Sequence, residues 1–219
     1  MDALVAFAAA LLSFRLAGLL AGRWRTSRRP ELLAWSAGLA AYAVAAGAIA
    51  WGEAHGWDSR AFRVYYAAGG LLTAPLLGAG SLLLAGRRTA APVALVFAGL
   101  AIGISLGMPL HGAFAARGIP HAQDHLAFLP ARLLAILANS LGTLAVVGVA
   151  LRSIRKRPLS NALIVAGIAA AAIGSGLAGL GAAGSAIGIA VGAALLYAGF
   201  VFPMRFAAVF RPDASVNSR

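Results

Sequence analysis

ALVAFAAALLSFRLAGLLAGRWRTSRR, residues 3–29, joins an apolar run to four arginines within the seven residues that follow it. A helix needs about 20 residues to cross roughly 30 Å of hydrocarbon, and Ala3–Gly22 meets that length. The same pattern recurs along the chain. Further apolar spans lie near Glu31–Trp51, Ala61–Ala85, Pro92–Leu110, Phe128–Leu151, Ser160–Leu180 and Ser185–Met204. Composition agrees: 61% of the 219 residues are apolar and 11% charged, whereas a soluble domain carries about a quarter charged residues. Short alternating strands, which a membrane barrel would need, are not evident. The sequence thus predicts an all-α polytopic membrane protein. It would form a single bundle of seven transmembrane helices over residues 1–205, with a short basic tail at 206–219.

The distribution of charge sets the expected orientation. Arg23, Arg25, Arg28 and Arg29 follow span one, and Arg87 and Arg88 follow span three. Arg152, Arg155, Lys156 and Arg157 follow span five, and Arg205, Arg211 and Arg219 follow span seven. Thirteen of the eighteen basic residues therefore fall on one side, which the positive-inside rule assigns to the cytoplasm. The N-terminus is then outside and the C-terminus cytoplasmic. A net charge of +12 so distributed is topogenic and contacts lipid headgroups, which excludes a nucleic-acid-binding reading. Lys156 is the single lysine, and alanine and glycine are abundant, a bias of GC-rich bacterial genomes; the expected location is the bacterial inner membrane. With no cysteine there are no disulfides or thiolate ligands. The first span is not an ordinary signal peptide, because it starts at Asp2 without a basic region and contains Arg15. Arg15 is expected to snorkel to the inner headgroups, where it can meet Glu31.

Polar groups inside a bilayer are costly, so each is a functional suspect. No Asp, Glu, Lys or His falls near the middle of a span, which argues against a proton pump, a strongly coupled carrier or a retinal protein. Arg63, Tyr66, Gly70 and Thr73 are spaced three, four and three apart and share a helix face with Tyr65 beside them; Arg132, Asn139 and Thr143 share another. Asn139 lies about 10 Å below Arg132 at 1.5 Å per residue, and Tyr42 is comparably deep in span two. Converging, these residues would form an outward-facing pocket. Arg63 and Arg132 would stand at its mouth, Tyr42, Tyr65 and Tyr66 would form its walls, and Thr73 and Asn139 would lie deeper. Such a site suits a small or amphiphilic molecule.

A second site is conceivable on the outer side. His121 and His125 are four apart with Asp124 adjacent, and His111 or the Glu53–His55–Asp58 loop would supply further ligands. That set has the donors for a tetrahedral zinc site, in which a bound water would make the protein a membrane hydrolase. Finally, Gly99, Gly103 and Gly107 form one small-residue stripe and Gly184, Gly188 and Gly192 another, both expected to pack tightly within the bundle. Docking of a membrane partner or a second copy through these stripes is the minor reading.

At Arg63-Val64-Tyr65-Tyr66, Gly78-Ala79-Gly80-Ser81 and Asn139-Ser140-Leu141-Gly142-Thr143, with Glu53 and Trp57, the chain resembles uncharacterised seven-helix membrane proteins of GC-rich bacteria. The resemblance covers most of the chain and implies topology, with no activity attached. A fainter likeness is to seven-helix sensor regions of bacterial histidine kinases, whose kinase sequence has no counterpart in these residues. A binder of a small or amphiphilic molecule, as sensor or transport-type component, is the first expectation. A metal-dependent hydrolase is the second and a structural partner subunit the third.

Overall fold

A computed structural model describes residues 2–114, 116, 118–155, 158–179 and 185–209. Among these the fold is entirely helical, without strands: α1 (Asp2–Ser27), α2 (Pro30–His55), α3 (Ser59–Leu84), α4 (Ala90–Gly107), the short α5 (Ala122–His125), α6 (Phe128–Ser153), α7 (Pro158–Gly179) and α8 (Ser185–Val209). Helices α1, α2, α3, α4 and α6 are each long and apolar enough to cross a membrane. Within α7 and α8 the apolar stretches Pro158–Ile173 and Ile187–Gly199 are shorter. The helix expected to end at Met204 continues to Val209, and the remainder of the basic tail lies outside the described residues.

Local chemistry explains the boundaries. Pro30 stands in the first turn of α2, where its missing N–H costs nothing. Glu31 beside it is buried and accepts a 2.7 Å hydrogen bond from Nε of Arg29. Glu31 is thus committed to its neighbour, and Arg15 lies exposed on α1; the pairing of Arg15 with Glu31 expected from the sequence is not formed. Asp58 caps α3, its carboxylate accepting from the Ala61 amide at 2.7 Å. Gly86, at φ +85°, turns the chain between α3 and α4.

α1 packs along α2 and also touches α8; α2 packs on α3, α3 on α6, α6 on α7, and α7 on α8. These contacts close a ring of six helices. α4 stands outside it, against α3 and the start of α6. The burial pattern is that of a protein in lipid: the buried positions are largely alanine and glycine, while Leu4, Phe14, Leu95, Leu141 and Leu144 are exposed. In hydrocarbon there is little drive to hide large apolar groups, so close backbone packing decides which face turns inward.

The tightest crossing is α3 on α6. A β-carbon on Gly78 would sit 2.7 Å from the Cα of Gly142, and one on Gly142 would run into the Ala74 carbonyl. Gly192 of the second glycine stripe packs α8 against Gly167 and Ala171 of α7; Gly184 lies outside the described residues. The first stripe does not. Gly99, Gly103 and Gly107 have nothing within 4 Å of a β-carbon and lie on the exposed side of α4. Spacing of four put them on one face, but periodicity alone does not say whether that face turns inward.

Candidate functional site

The middle of α3 departs from the α register. Tyr66–Thr73 is π-helical, with hydrogen bonds reaching five residues instead of four. Pro75 follows after Ala74. Proline offers no N–H and its ring crowds the preceding turn, so an α register through this point is penalised. In the five-residue register the carbonyl of Gly70 faces Pro75 and finds no donor there. Asn139 of α6 supplies one: its Nδ2 donates to the Gly70 carbonyl and, at 2.8 Å, to Ala135 of its own helix. Thr73 Oγ1 donates to the Ala68 carbonyl at 2.8 Å, satisfying a second backbone group in the widened turn.

Beside this distorted segment lies a cavity of about 660 Å³, walled by α2, α3, α6, α7 and α8 and touched by Ala122 of α5. Five of the seven residues singled out as ligand-binding line it: Tyr42, Tyr65, Tyr66, Thr73 and Asn139. Ser140 and Thr143 of α6, Ile168 and Ala172 of α7, and Ile189 of α8 complete much of the wall. No charged side chain is among the lining residues described. Tyr42 reaches across, its hydroxyl donating to the Ile189 carbonyl at 2.6 Å, and the Tyr66 hydroxyl donates to Ala131 at 3.3 Å.

The two arginines are placed differently from the sequence reading. Arg63 donates from Nη1 to the carbonyls of Ser105 (2.9 Å) and Leu106 (3.2 Å), capping the C-terminal end of α4. That position suits a cation, since the last carbonyls of a helix are unpaired and carry its negative dipole end. Arg132 lies with its guanidinium 5.6 Å from the ring centre of Phe128. Neither lines the cavity. Each is held elsewhere, Arg63 by the carbonyls that end α4 and Arg132 over the Phe128 ring. Aromatic packing backs the two tyrosines of α3 that line the cavity. Phe62, fully buried, stacks on Tyr66 at 5.8 Å and contacts Phe114 and His125, each at 5.4 Å, while Trp57 meets the edge of Tyr65 at 5.7 Å. Arg63→Gln is expected to destabilise the docking of α4 by about 1 kcal/mol, as loss of charge-assisted bonds at a partly exposed helix end. Faster amide hydrogen exchange confined to α4 would register it; uniform exchange along the chain would contradict the capping role.

The candidate metal ligands are not brought together. Among the described residues, no three His, Cys, Asp or Glu side chains gather where they could hold a metal ion. His121 precedes α5 in extended conformation and His125 closes that four-residue helix, so their spacing of four does not put them on one continuous helical face. His125 is buried, with Nδ1 2.9 Å from the His111 carbonyl and its ring stacked 4.1 Å from Phe114. Asp124 and the side chain of His111 are exposed. In the neighbouring loop Glu53 accepts from the Trp57 indole at 3.3 Å, His55 stacks on Trp51 and Asp58 caps α3.

The motifs behind the family resemblance therefore hold structural contacts: Gly78 against Gly142, Gly80 under the Trp35 ring, Asn139 on Gly70, and Glu53 on Trp57. What the sequence missed was the α7–α8 side of the cavity, whose lining is alanine, isoleucine and leucine and carries no chemical flag. Pro75 within an apolar run was a usable signal for the π segment. Fold and site together define a helical membrane protein with an uncharged, largely apolar cavity that carries hydroxyl and amide groups. No protein-family model matches the chain, and no curated protein or solved structure does so either.

Proposed function

We propose that the chain is a seven-helix inner-membrane protein of a bacterium that binds a small or amphiphilic molecule between its helices, as a sensor or transport-type component and not as an enzyme. α7 and α8 would complete the seven spans, the arginine-rich end would face the cytoplasm, and residues 1–205 would form one domain. The observation that carries the functional reading is the cavity of about 660 Å³, a size that accommodates a small ligand. It collects Tyr42, Tyr65, Tyr66, Thr73 and Asn139 from three helices. The absence of any charged group from the described lining weighs against coupled ion transport and acid–base catalysis.

Native mass spectrometry of protein released gently from membranes tests this. The wild type should carry a bound molecule of definite mass. Thr143→Trp, which fills the cavity from a half-buried wall position, should arrive without it while eluting and melting as a folded bundle. An adduct retained unchanged by Thr143→Trp, or none in the wild type under the gentlest extraction, would sink the proposal.

A further inference from the structure

We infer that the cavity is entered sideways from the bilayer between α6 and α7, and that its occupant is an uncharged amphiphile carrying a hydroxyl or amide group on an apolar chain. This rests on the cavity being a binding site, the reading just proposed.

The entrance follows from residues that belong to both the cavity wall and the outer surface. Ile136, Ser140 and Thr143 lie on one face of α6, spaced four and three apart, and all line the cavity. Ile136 is 53% exposed and Ser140 is also exposed. Across from them Ile168 and Ala172 of α7 line the cavity, and Ala172 is exposed. On α6 these positions lie about 5–15 Å along the regular helix that begins at Leu133, at 1.5 Å per residue, inside an apolar span. The rim is therefore at hydrocarbon depth. α7 packs closely along α8 but sparsely against α6, which leaves this seam the loose one in the ring. On the α5 side, buried Phe62 and His125 and half-buried Phe114 pack together behind the cavity-lining Tyr66.

The ligand class follows from which hydrogens the wall has left. Tyr42, Tyr66, Thr73 and Asn139 donate theirs to the backbone carbonyls of Ile189, Ala131, Ala68, and Gly70 and Ala135. What these side chains still present is oxygen: two phenolic oxygens, a hydroxyl oxygen and the amide Oδ1, all acceptors. The hydroxyls of Tyr65, Ser140 and Thr143 make no hydrogen bond among the described residues and can adapt in either direction. Such a wall welcomes a donor, and it offers an anion only the three neutral hydroxyls of Tyr65, Ser140 and Thr143. A permanent charge of either sign would be stranded, because no countercharge lines the cavity and desolvation is uncompensated.

Photolabelling of the full chain in phosphatidylcholine vesicles decides the matter, using diazirine-bearing hexadecanol beside the corresponding hexadecyl sulfonate and hexadecyl trimethylammonium. Hexadecanol should label peptides of α3 and α6 saturably, with competition by unlabelled hexadecanol. Both charged probes should bind at least about a hundredfold more weakly, as expected for an unpaired charge in an apolar site. Ser140→Trp and Ala172→Trp, at exposed rim positions, should each slow labelling about tenfold, as an added entry barrier of about 1.4 kcal/mol would. Equal or better labelling by a charged probe overturns the ligand class while leaving the cavity a binding site. Unchanged rates in both folded rim variants overturn the lateral entrance. Failure of all three probes to label the cavity saturably removes the underlying binding proposal, and this inference with it.

Discussion

Gly142→Leu is expected to dismantle the bundle, while Gly103→Leu leaves it intact. Both replace a mid-helix glycine by the same side chain, and both lie in apolar helices, so helix propensity and hydropathy change alike. They differ in what the new side chain meets. At Gly142 even a β-carbon overlaps the Ala74 carbonyl and comes within 2.8 Å of the Pro75 nitrogen. Those are backbone atoms, which cannot swing aside as a flexible side chain would. Overpacking of a core costs about 1–3 kcal/mol when side chains can adjust, so the loss at Gly142 should be about 3 kcal/mol or more. At Gly103 a β-carbon has nothing within 4 Å, and the change should stay within about 0.5 kcal/mol. Thermal unfolding in mild detergent, read by fluorescence and by elution profile, separates the two. A stable Gly142→Leu would show that α3 and α6 do not cross there. A destabilised Gly103→Leu would show that the glycine face of α4 is covered by another chain.

That contrast marks where the sequence was legible. Long apolar runs and the arginine clusters behind them identify the helices because their cost in or out of hydrocarbon is large and local. Tyr42, Tyr65, Tyr66, Thr73 and Asn139 stood out for the same reason, as polar groups that a bilayer penalises, and they do meet in one cavity. Which face of a helix turns inward is not a local property. Gly99, Gly103 and Gly107 repeat every four residues and face outward, whereas Gly142, with no glycine four positions away on either side, makes the closest approach to another helix's backbone. Its partners are Gly78 and the Ala74–Pro75 backbone, and no spacing within one helix signals a meeting between two. Arg63 was misplaced because spacing along one helix does not reveal the carbonyls of α4 that its guanidinium caps. The outer histidines were grouped by spacing alone, which has meaning on a continuous helix and little around a four-residue one.

Asn139→Leu should destabilise the protein by about 1–2 kcal/mol, and replacing Pro75 should return much of that loss. Interhelical hydrogen bonds in membranes average only about 0.6 kcal/mol and reach about 1.7, so the bond itself is a modest part of the effect. The larger part is the Gly70 carbonyl left without a donor, since an orphaned buried acceptor costs about 1–3 kcal/mol. Pro75 is the reason that the carbonyl depends on Asn139. In a Pro75→Ala background the backbone N–H at position 75 becomes available to Gly70, and Asn139→Leu should then cost about 0.5 kcal/mol or less, the range of an ordinary substitution. The difference between the two backgrounds is the coupling that a double-mutant cycle measures. Additive losses would mean that Pro75 has no part in the need for Asn139.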